Sequence, residues 1–509
     1  MGQSQRIRVQ KGRFVDTEGR HVLPHGINLV NKDPDAGYFF DEGPERFAAM
    51  AEWGFNCIRL GVIWDGLEPA PGVYDEAYLQ RLDRRIAWAR EHGLSVFLDM
   101  HQDLYSVRFS DGAPEWATLT GDAPHVTPGE VWSDAYFTSP AVQAALDRFW
   151  ENAPAPDGLG LQEHYARAWQ HLARRYADEP AVIGYDLMNE PFPGSPAAVA
   201  LQMMFAQGAE LLSALDGRPY AAEELAMQWL DEAGRAQILR RLEDVALYAQ
   251  VIDVTQPAYA AFERGKLGEM YARVAAAIRA IDPAKMLFLE TTMGSNMGVY
   301  SDIQPLVLDG ARDAQQVYAP HGYDLVVDTP SIAQAAPGRV ALIFDRHHET
   351  AQRLQMPMLV GEWGAYGQHP ETLPAAWYVV RQFEKALCGE TYWTYEPGIE
   401  GFPCFQALQR PYPERVAGRL TGYHFDPQQA VFECEWRETG DVTAPSRIYL
   451  PDWFVWDKES VDLTPAGQGC AVVAIRPGSR NVYLEISPAG SPCDRRLTVV
   501  ARGAGRRIP

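Results

Sequence analysis

The chain has 509 residues, 47% apolar and 22% charged, with 45 basic against 67 acidic side chains and a net charge of −22. That length can bury a large core in two or three domains, and that balance excludes a collagen, a coiled coil and a wholly disordered chain. The negative surface repels phosphate backbones, so no nucleic-acid partner is expected.

The opening residues, MGQSQRIRVQ, lack the apolar run of a secretory leader. The expected location is cytoplasmic, or secreted if a leader has been removed. Position 6 is Arg rather than Ser or Thr, so the Met1-Gly2 start fails as a myristoylation signal. The most apolar segment, Ala197 to Leu215, is broken by Gln202, Gln207 and Glu210, and no transmembrane segment is expected. Cys57, Cys388, Cys404, Cys434, Cys470 and Cys493 show no CxxC spacing, which argues against zinc or dithiol chemistry. Cys57 lies inside an apolar run and reads as a buried thiol.

Eight short apolar runs follow in chain order: Val22–Leu29, Asn56–Val62, Leu94–His101, Val182–Glu190, Met286–Thr291, Val317–His321, Met358–Glu362 and Glu390–Glu396. Each is rich in β-branched or aromatic residues, as buried parallel strands are. Between them Arg81–Arg90, Leu161–Tyr176 and Leu267–Ile281 repeat apolar residues at helical spacing, and Gly93 stops the first. This alternation predicts an α/β fold, a (β/α)8 TIM barrel with loop insertions, over residues 1–408. Insertions at 105–160 and 193–266 follow runs three and four, on the active-site face of such a barrel. The second contains AVALQMMFAQGAELLSAL. That helix can pack on the barrel, wall a cleft into a pocket, or guide a lipid tail. From residue 409 the pattern changes. FECEWRE, SRIYLPDWFVW, GCAVVAIRP and NVYLEISP alternate apolar and polar residues between turn signals. They predict a C-terminal antiparallel β-sandwich over 409–509, closed by a basic tail, ARGAGRRIP, expected to fray.

A barrel places its chemistry at the C-terminal ends of its strands. Those ends carry Arg59, His101 and Asp103, Asn189-Glu190, His321 and Tyr323, Glu362 and Trp393. Unpaired buried charge costs several kcal/mol, so ionisable groups gathered there need a task. Strands four and seven face each other across the mouth. Carboxyls at Glu190 and Glu362 about 5–5.5 Å apart suit glycoside hydrolysis by double displacement. One attacks the anomeric carbon; the other protonates the leaving oxygen and then deprotonates water. Trp393 offers a flat face to a pyranose. His101 and Asp103 suggest a metal pair, but no third ligand is evident, so no metal is expected. The chemistry needs no cofactor.

The ordered set Arg59, His101, Asn189-Glu190, His321, Tyr323, Glu362 and Trp393 resembles the signature of glycoside hydrolase family 5 over residues 20–400. The resemblance implies a retaining mechanism with Glu190 as acid/base and Glu362 as nucleophile. It also implies Asn189 on the sugar 2-hydroxyl, Tyr323 on the nucleophile and Trp393 beneath the cleaved sugar. HGINLVNKDPD, DMHQDLYS and MNEPFPG are similar to the endoglycoceramidase branch of that family, whose members cleave between glycan and ceramide and carry a C-terminal sandwich. This narrower resemblance places Lys32 and Asp103 on sugar hydroxyls. The long 193–266 insertion and the missing leader depart from that branch.

The expected function is a retaining β-glycosidase for a β-glucoside with a hydrophobic aglycone, of endoglycoceramidase or glucosylceramidase type. The expected partner is a small-molecule glycoside or glycolipid; the oligomeric state is unknown. Rival readings are an intracellular β-glucosidase or diglycosidase for aryl glycosides, and a non-catalytic carbohydrate-binding protein on a barrel scaffold.

Overall fold

The computed structural model describes residues 7–127, 131–466 and 469–502. The first six residues and 503–509, which include most of the tail expected to fray, lie outside the described residues.

Eight parallel strands form the barrel: β1 (His25–Leu29), β2 (Cys57–Ile63), β3 (Ser95–His101), β4 (Val182–Asp186), β5 (Met286–Leu289), β6 (Gln316–Tyr318), β7 (Leu359–Val360) and β8 (Gly389–Tyr392). Neighbours follow chain order, and β8 pairs with both β1 and β7. The ring closes between β6 and β7 through a bridge from Tyr318 to Met358, and higher up through His321–Gly322 beside Glu362–Trp363.

Alternate residues of each strand point into the barrel. Going up β2, β3 and β5, the inward side chains are Cys57 then Arg59, Phe97 then Asp99, and Phe288 then Glu290. The lower members form an apolar layer in which the Phe97 and Phe288 rings stack at 4.5 Å. On β4 that layer holds Gly184, where an added Cβ would fall 2.5 Å from the Phe288 ring. One step up, at Arg59, Asp99, Asp186 and Glu290, the lining turns charged. The period of two that builds the strands thus delivers a polar layer to the strand ends.

Pro24 splits the expected first run, because proline cannot donate to a ladder. Val22 pairs with Arg415 in a different sheet, while β1 starts at His25. Three short N-terminal strands, Arg8–Gln10, Arg13–Val15 and His21–Val22, join Tyr412–Val416, Ser446–Leu450, Val482–Ile486 and Cys470–Ala474 in one seven-stranded sheet. Ile7, Phe14 and Val22 also plug the bottom of the barrel. The C-terminal sheet is therefore built from both ends of the chain. A four-stranded antiparallel sheet, Arg419–Asp426, Val431–Glu438, Cys493–Val500 and Val461–Thr464, completes the C-terminal β-structure. Val431–Glu438 alternates as a half-buried strand should, with Phe432, Cys434 and Trp436 inward.

The second insertion is a cluster of helices beginning with Pro196–Asp216, Ala222–Leu230, Glu232–Arg241 and Val245–Asp253. Among the described residues Pro196–Asp216 is long and apolar enough to cross a membrane by length and composition. It passes that test despite Gln202, Gln207 and Glu210, as a helix packed in a protein core also can. One face of this helix packs, through Ala200, Ala209 and Leu212, into the insertion's own core.

The sheet and the barrel share an interface. Tyr412 donates its hydroxyl to the Gly54 carbonyl at 2.7 Å, Tyr449 to that of Glu52 at 2.9 Å, and Arg476 pairs with the Glu52 carboxylate. A chain ending at residue 410 is expected to aggregate, because it strips the N-terminal strands of their partner and bares Leu23. Gel filtration checks this; a monodisperse, folded truncation would show that the barrel stands alone.

Candidate active site

Arg59 lies fully buried under the barrel mouth. Its Nε is 2.8 Å from Asp186, one terminal nitrogen is 2.7 Å from Glu362 Oε1 and 3.0 Å from Asn28, and the other reaches Glu290 at 2.6 Å, Asp99 at 2.8 Å and Asn189 at 2.9 Å. A planar guanidinium with five N–H donors can serve so many acceptors from one position; a lysine cannot. Burial opposes its charge, but the carboxylates of Asp99, Asp186, Glu290 and Glu362 hold the proton on more firmly still.

Above it stand the two carboxylates expected from the strand ends. Oxygens of Glu190 and Glu362, with a nitrogen of His321, lie within 4.8 Å of one another. That short separation matches double displacement, in which one carboxylate is itself the nucleophile, and not the wider spacing that seats a directly attacking water. Glu362 accepts from Arg59 on Oε1 and from the Tyr323 hydroxyl on Oε2 at 3.0 Å. Glu190 Oε1 accepts from Asn296 Nδ2 at 2.7 Å and from His321 Nδ1 at 2.9 Å. Burial pushes the Glu190 carboxyl above its ordinary value; the His321 hydrogen bond and charge oppose this, and the Glu362 charge adds to it. Burial would strip His321 of its proton, but Glu290 and Glu362 outweigh burial and raise its pKa well above the usual value. Its Nε2 sits 3.3 Å from Glu290. Glu190 itself adopts φ 41°, a left-handed conformation uncommon outside glycine. Its N–H donates to Glu290 Oε2 at 2.8 Å, which holds the strained turn in place.

Lys32 and Asp103 form a tight ion pair at the side of the site. The Lys32 ammonium also lies 4.6 Å from the Trp393 ring centre and 5.7 Å from that of Trp132. His101 sits behind Trp393, stacked on it at 5.1 Å, and is held by Asp99 at 2.8 Å. Burial lowers its pKa, but Asp99 and Asp103 prevail and push it up to about 10. The third ligand missing from the sequence reading exists: Asp111 lies with His101 and Asp103 within 4.8 Å. Lys32 Nζ is 3.9 Å from Asp111 as well as paired with Asp103, so a side-chain cation already supplies positive charge to these carboxylates.

These residues open on a cavity of about 500 Å³. Lys32, Asp103, Glu190, Tyr323, Glu362 and Trp393 line one part of it. Leu201, Met204, Phe205, Leu212, Trp229 and Ile238 from the second insertion line another. Arg59, His101 and His321 stand behind the lining and act through their neighbours, and Asn189 is buried beside it. Asn189 spends its carbonyl on Arg59 and one amide hydrogen on the Gln102 carbonyl, leaving one N–H for a ligand. Glu290, Asn296, Asp111 and Trp132 also belong to the site. Glu290 carried a legible signal, an acid closing the apolar run MLFLET, as the other strand-end acids do. Asn296 carried none, since it sits on the four-residue helix Met293–Asn296 with no periodicity to read.

The family model described as Cellulase (glycosyl hydrolase family 5) matches residues 39–398, and that of the glycoside hydrolase family 5 C-terminal domain matches residues 410–492. The chain belongs to glycoside hydrolase family 5. It is similar to endoglycoceramidase I of Rhodococcus hoagii (strain 103S), at 26% identity over 94% of this chain and 87% of that one. It is also similar to a glucosylceramidase of Rhizopus delemar, at 32% identity over 36% of this chain and 35% of that one. The solved endo-glycoceramidase II from Rhodococcus sp., in its ganglioside GM3 complex, superposes with TM-score 0.72 and 26% identity over 97% of this chain and 100% of that one. The chain is thus a glycoside hydrolase, and the non-catalytic reading gives way. Family 5 enzymes retain anomeric configuration, which agrees with the short carboxylate separation.

Replacing Arg59 by Met leaves four buried carboxyls without their shared cation. The expected loss is about 3–5 kcal/mol of stability, as for other broken buried pairs. Chemical denaturation measures it, with Arg59→Lys falling between Met and wild type; an unchanged midpoint would remove Arg59 from the centre of this account.

Proposed function

We propose that this chain is a retaining β-glycosidase that cleaves sugars from a lipid-like aglycone, with glycosphingolipids as the substrate class. The observation that carries this reading is the cavity that joins a carboxylate pair to an apolar wall. Polar ion-paired groups at one part of it suit a sugar, and leucine, methionine and phenylalanine side chains suit a hydrocarbon. The names of the relatives, endoglycoceramidases and glucosylceramidases, support the same class.

In this mechanism the sugar lies on Trp393, with hydroxyls on Lys32 and Asp103 and the 2-hydroxyl on Asn189. Glu362 attacks the anomeric carbon. Both its oxygens accept hydrogen bonds, one from Arg59 and one from Tyr323, which orients it as an acceptor-only carboxylate. Glu190 gives its proton to the glycosidic oxygen as the bond to the aglycone breaks, leaving a sugar ester on Glu362. Glu190, now a carboxylate, takes a proton from water, and the hydroxide displaces Glu362. The net result is one water added across the glycosidic bond with the anomeric configuration kept.

Glu362→Gln is expected to lower turnover of a nitrophenyl β-glucoside by more than about a thousandfold while leaving sugar binding in place; wild-type turnover would remove it as nucleophile. The pH dependence has a definite sign. Glu190 must hold its proton in the first step, and burial together with the Glu362 charge raises its pKa. kcat/KM is therefore expected to fall on the alkaline side only above the ordinary carboxylate range. Glucosylceramide or lactosylceramide micelles are expected to release sugar. Turnover of aryl glucosides with neither glycolipid cleaved would move the substrate class to aryl glycosides.

A further inference from the structure

We infer that Asn296 is a positioning residue for Glu190, which fixes the transferred proton on Oε2 and couples the acid to the wall of the apolar cavity. This deepens the glycosidase reading and rests on Glu190 being the acid. The argument begins with donors. Glu190 Oε1 receives Asn296 Nδ2–H at 2.7 Å and His321 Nδ1–H at 2.9 Å. A carboxyl oxygen has two lone pairs, so these two donors saturate it. A proton on Oε1 would point at two other hydrogens. The acidic hydrogen therefore sits on Oε2.

His321 alone does not impose this choice. Its Nδ1 is also 3.5 Å from Glu362 Oε2, so it faces both carboxyls. Asn296 Nδ2 makes its hydrogen bond to Glu190. The backbone end of Glu190 is already clamped by the bond from its N–H to Glu290. What remains free is the rotation of the side chain, and Asn296 stops it.

Asn296 is in turn held by the second insertion. Tyr248 of that insertion donates to the carbonyl of Met297 at 2.5 Å. Where the insertion rejoins the barrel, buried Glu263 accepts from Thr292 N–H at 3.3 Å, Ser301 Oγ at 3.0 Å and Asp302 N–H at 2.5 Å, pinning both ends of the loop that carries Asn296. Met293, Asn296 and Met297 themselves line the cavity. An aglycone that fills the apolar part thus bears on the segment that aims the acid.

The test separates aiming from folding by leaving-group chemistry. A dinitrophenolate leaves without a proton, and an alkoxide does not. In Asn296→Leu, kcat/KM for octyl β-glucoside is expected to fall about 10–100-fold, within the range of lost general-acid catalysis. kcat/KM for dinitrophenyl β-glucoside is expected to stay within about twofold. The alkaline limb for the octyl substrate moves to higher pH, because a donor that favoured the carboxylate is gone. The charged and titratable groups facing Glu190 are His321, Glu362, Glu290, Asp103, Tyr136 and Tyr323, and all stay in place. Tyr248→Phe, which leaves Asn296 intact, gives a smaller loss of the same selectivity. Equal losses on both substrates, or an unmoved alkaline limb, would overturn the assignment of Asn296 alone. A wild-type chain that releases sugar from neither glucoside nor from lactosylceramide would overturn the glycosidase reading itself. If Asn296→Leu does not fold, Asn296→Ser carries the same comparison.

Discussion

The barrel mouth is built around one buried cation. Asp99, Asp186, Glu290 and Glu362 converge on Arg59, and His321 adds a second positive charge between Glu190, Glu290 and Glu362. Taking several carboxylates out of water is costly, and only a partner of opposite charge held in good hydrogen-bonding geometry repays it. The balance is incomplete. Burial, with the Glu290 charge second, raises the Asp186 carboxyl well above its ordinary value. Burial presses Glu290 in the same direction, but His321 and Arg59 prevail and lower it. The site is therefore rigid for an electrostatic reason. Any carboxyl that swings away leaves its neighbours with uncompensated charge.

The same constraint explains how two identical side chains take different roles. Glu362 has a donor on each oxygen, and one of them is a permanent cation. Glu190 has both of its donors on one oxygen. The first arrangement leaves a carboxylate fully engaged as acceptor. The second leaves one oxygen open for a proton, in a setting where burial favours keeping it. Environment, not residue type, separates nucleophile from acid.

Much of this was legible in the sequence because its signals are local. Buried parallel strands show up as apolar runs, and an acid at the end of a run is conspicuous; Glu190 and Glu362 could be picked out on those grounds. Asp103 stood out at a strand end, Lys32 was found through resemblance alone, and the two meet as an ion pair. The parts that were missed are set by contacts distant in the chain. Arg8–Gln10, Arg13–Val15 and His21–Val22 are too short to show a period; they pair with one another in turn, and only His21–Val22 ties them to a strand some 400 residues away, as Val22 with Arg415 shows. Asp111 becomes part of the site because its carboxylate accepts the Asp103 N–H across a turn. Asn296 depends on where Glu190 ends up, 106 residues earlier.

The second insertion shows why a segment's composition is an incomplete guide to its place. Read alone, Pro196–Asp216 is apolar enough for a membrane. In the fold it divides its apolar side chains. Ala200, Ala209 and Leu212 pack inside the insertion, Leu201, Met204 and Phe205 face the cavity, and Val199 and Met203 are left exposed. A helix that packed only on the barrel would bury that apolar content against the barrel's own helices. Here part of it lines a space that ends at the carboxylate pair, so the two alternatives of packing and guiding a lipid are not exclusive. The insertion's core fixes the wall, and the wall leaves room for a hydrocarbon beside the bond to be broken.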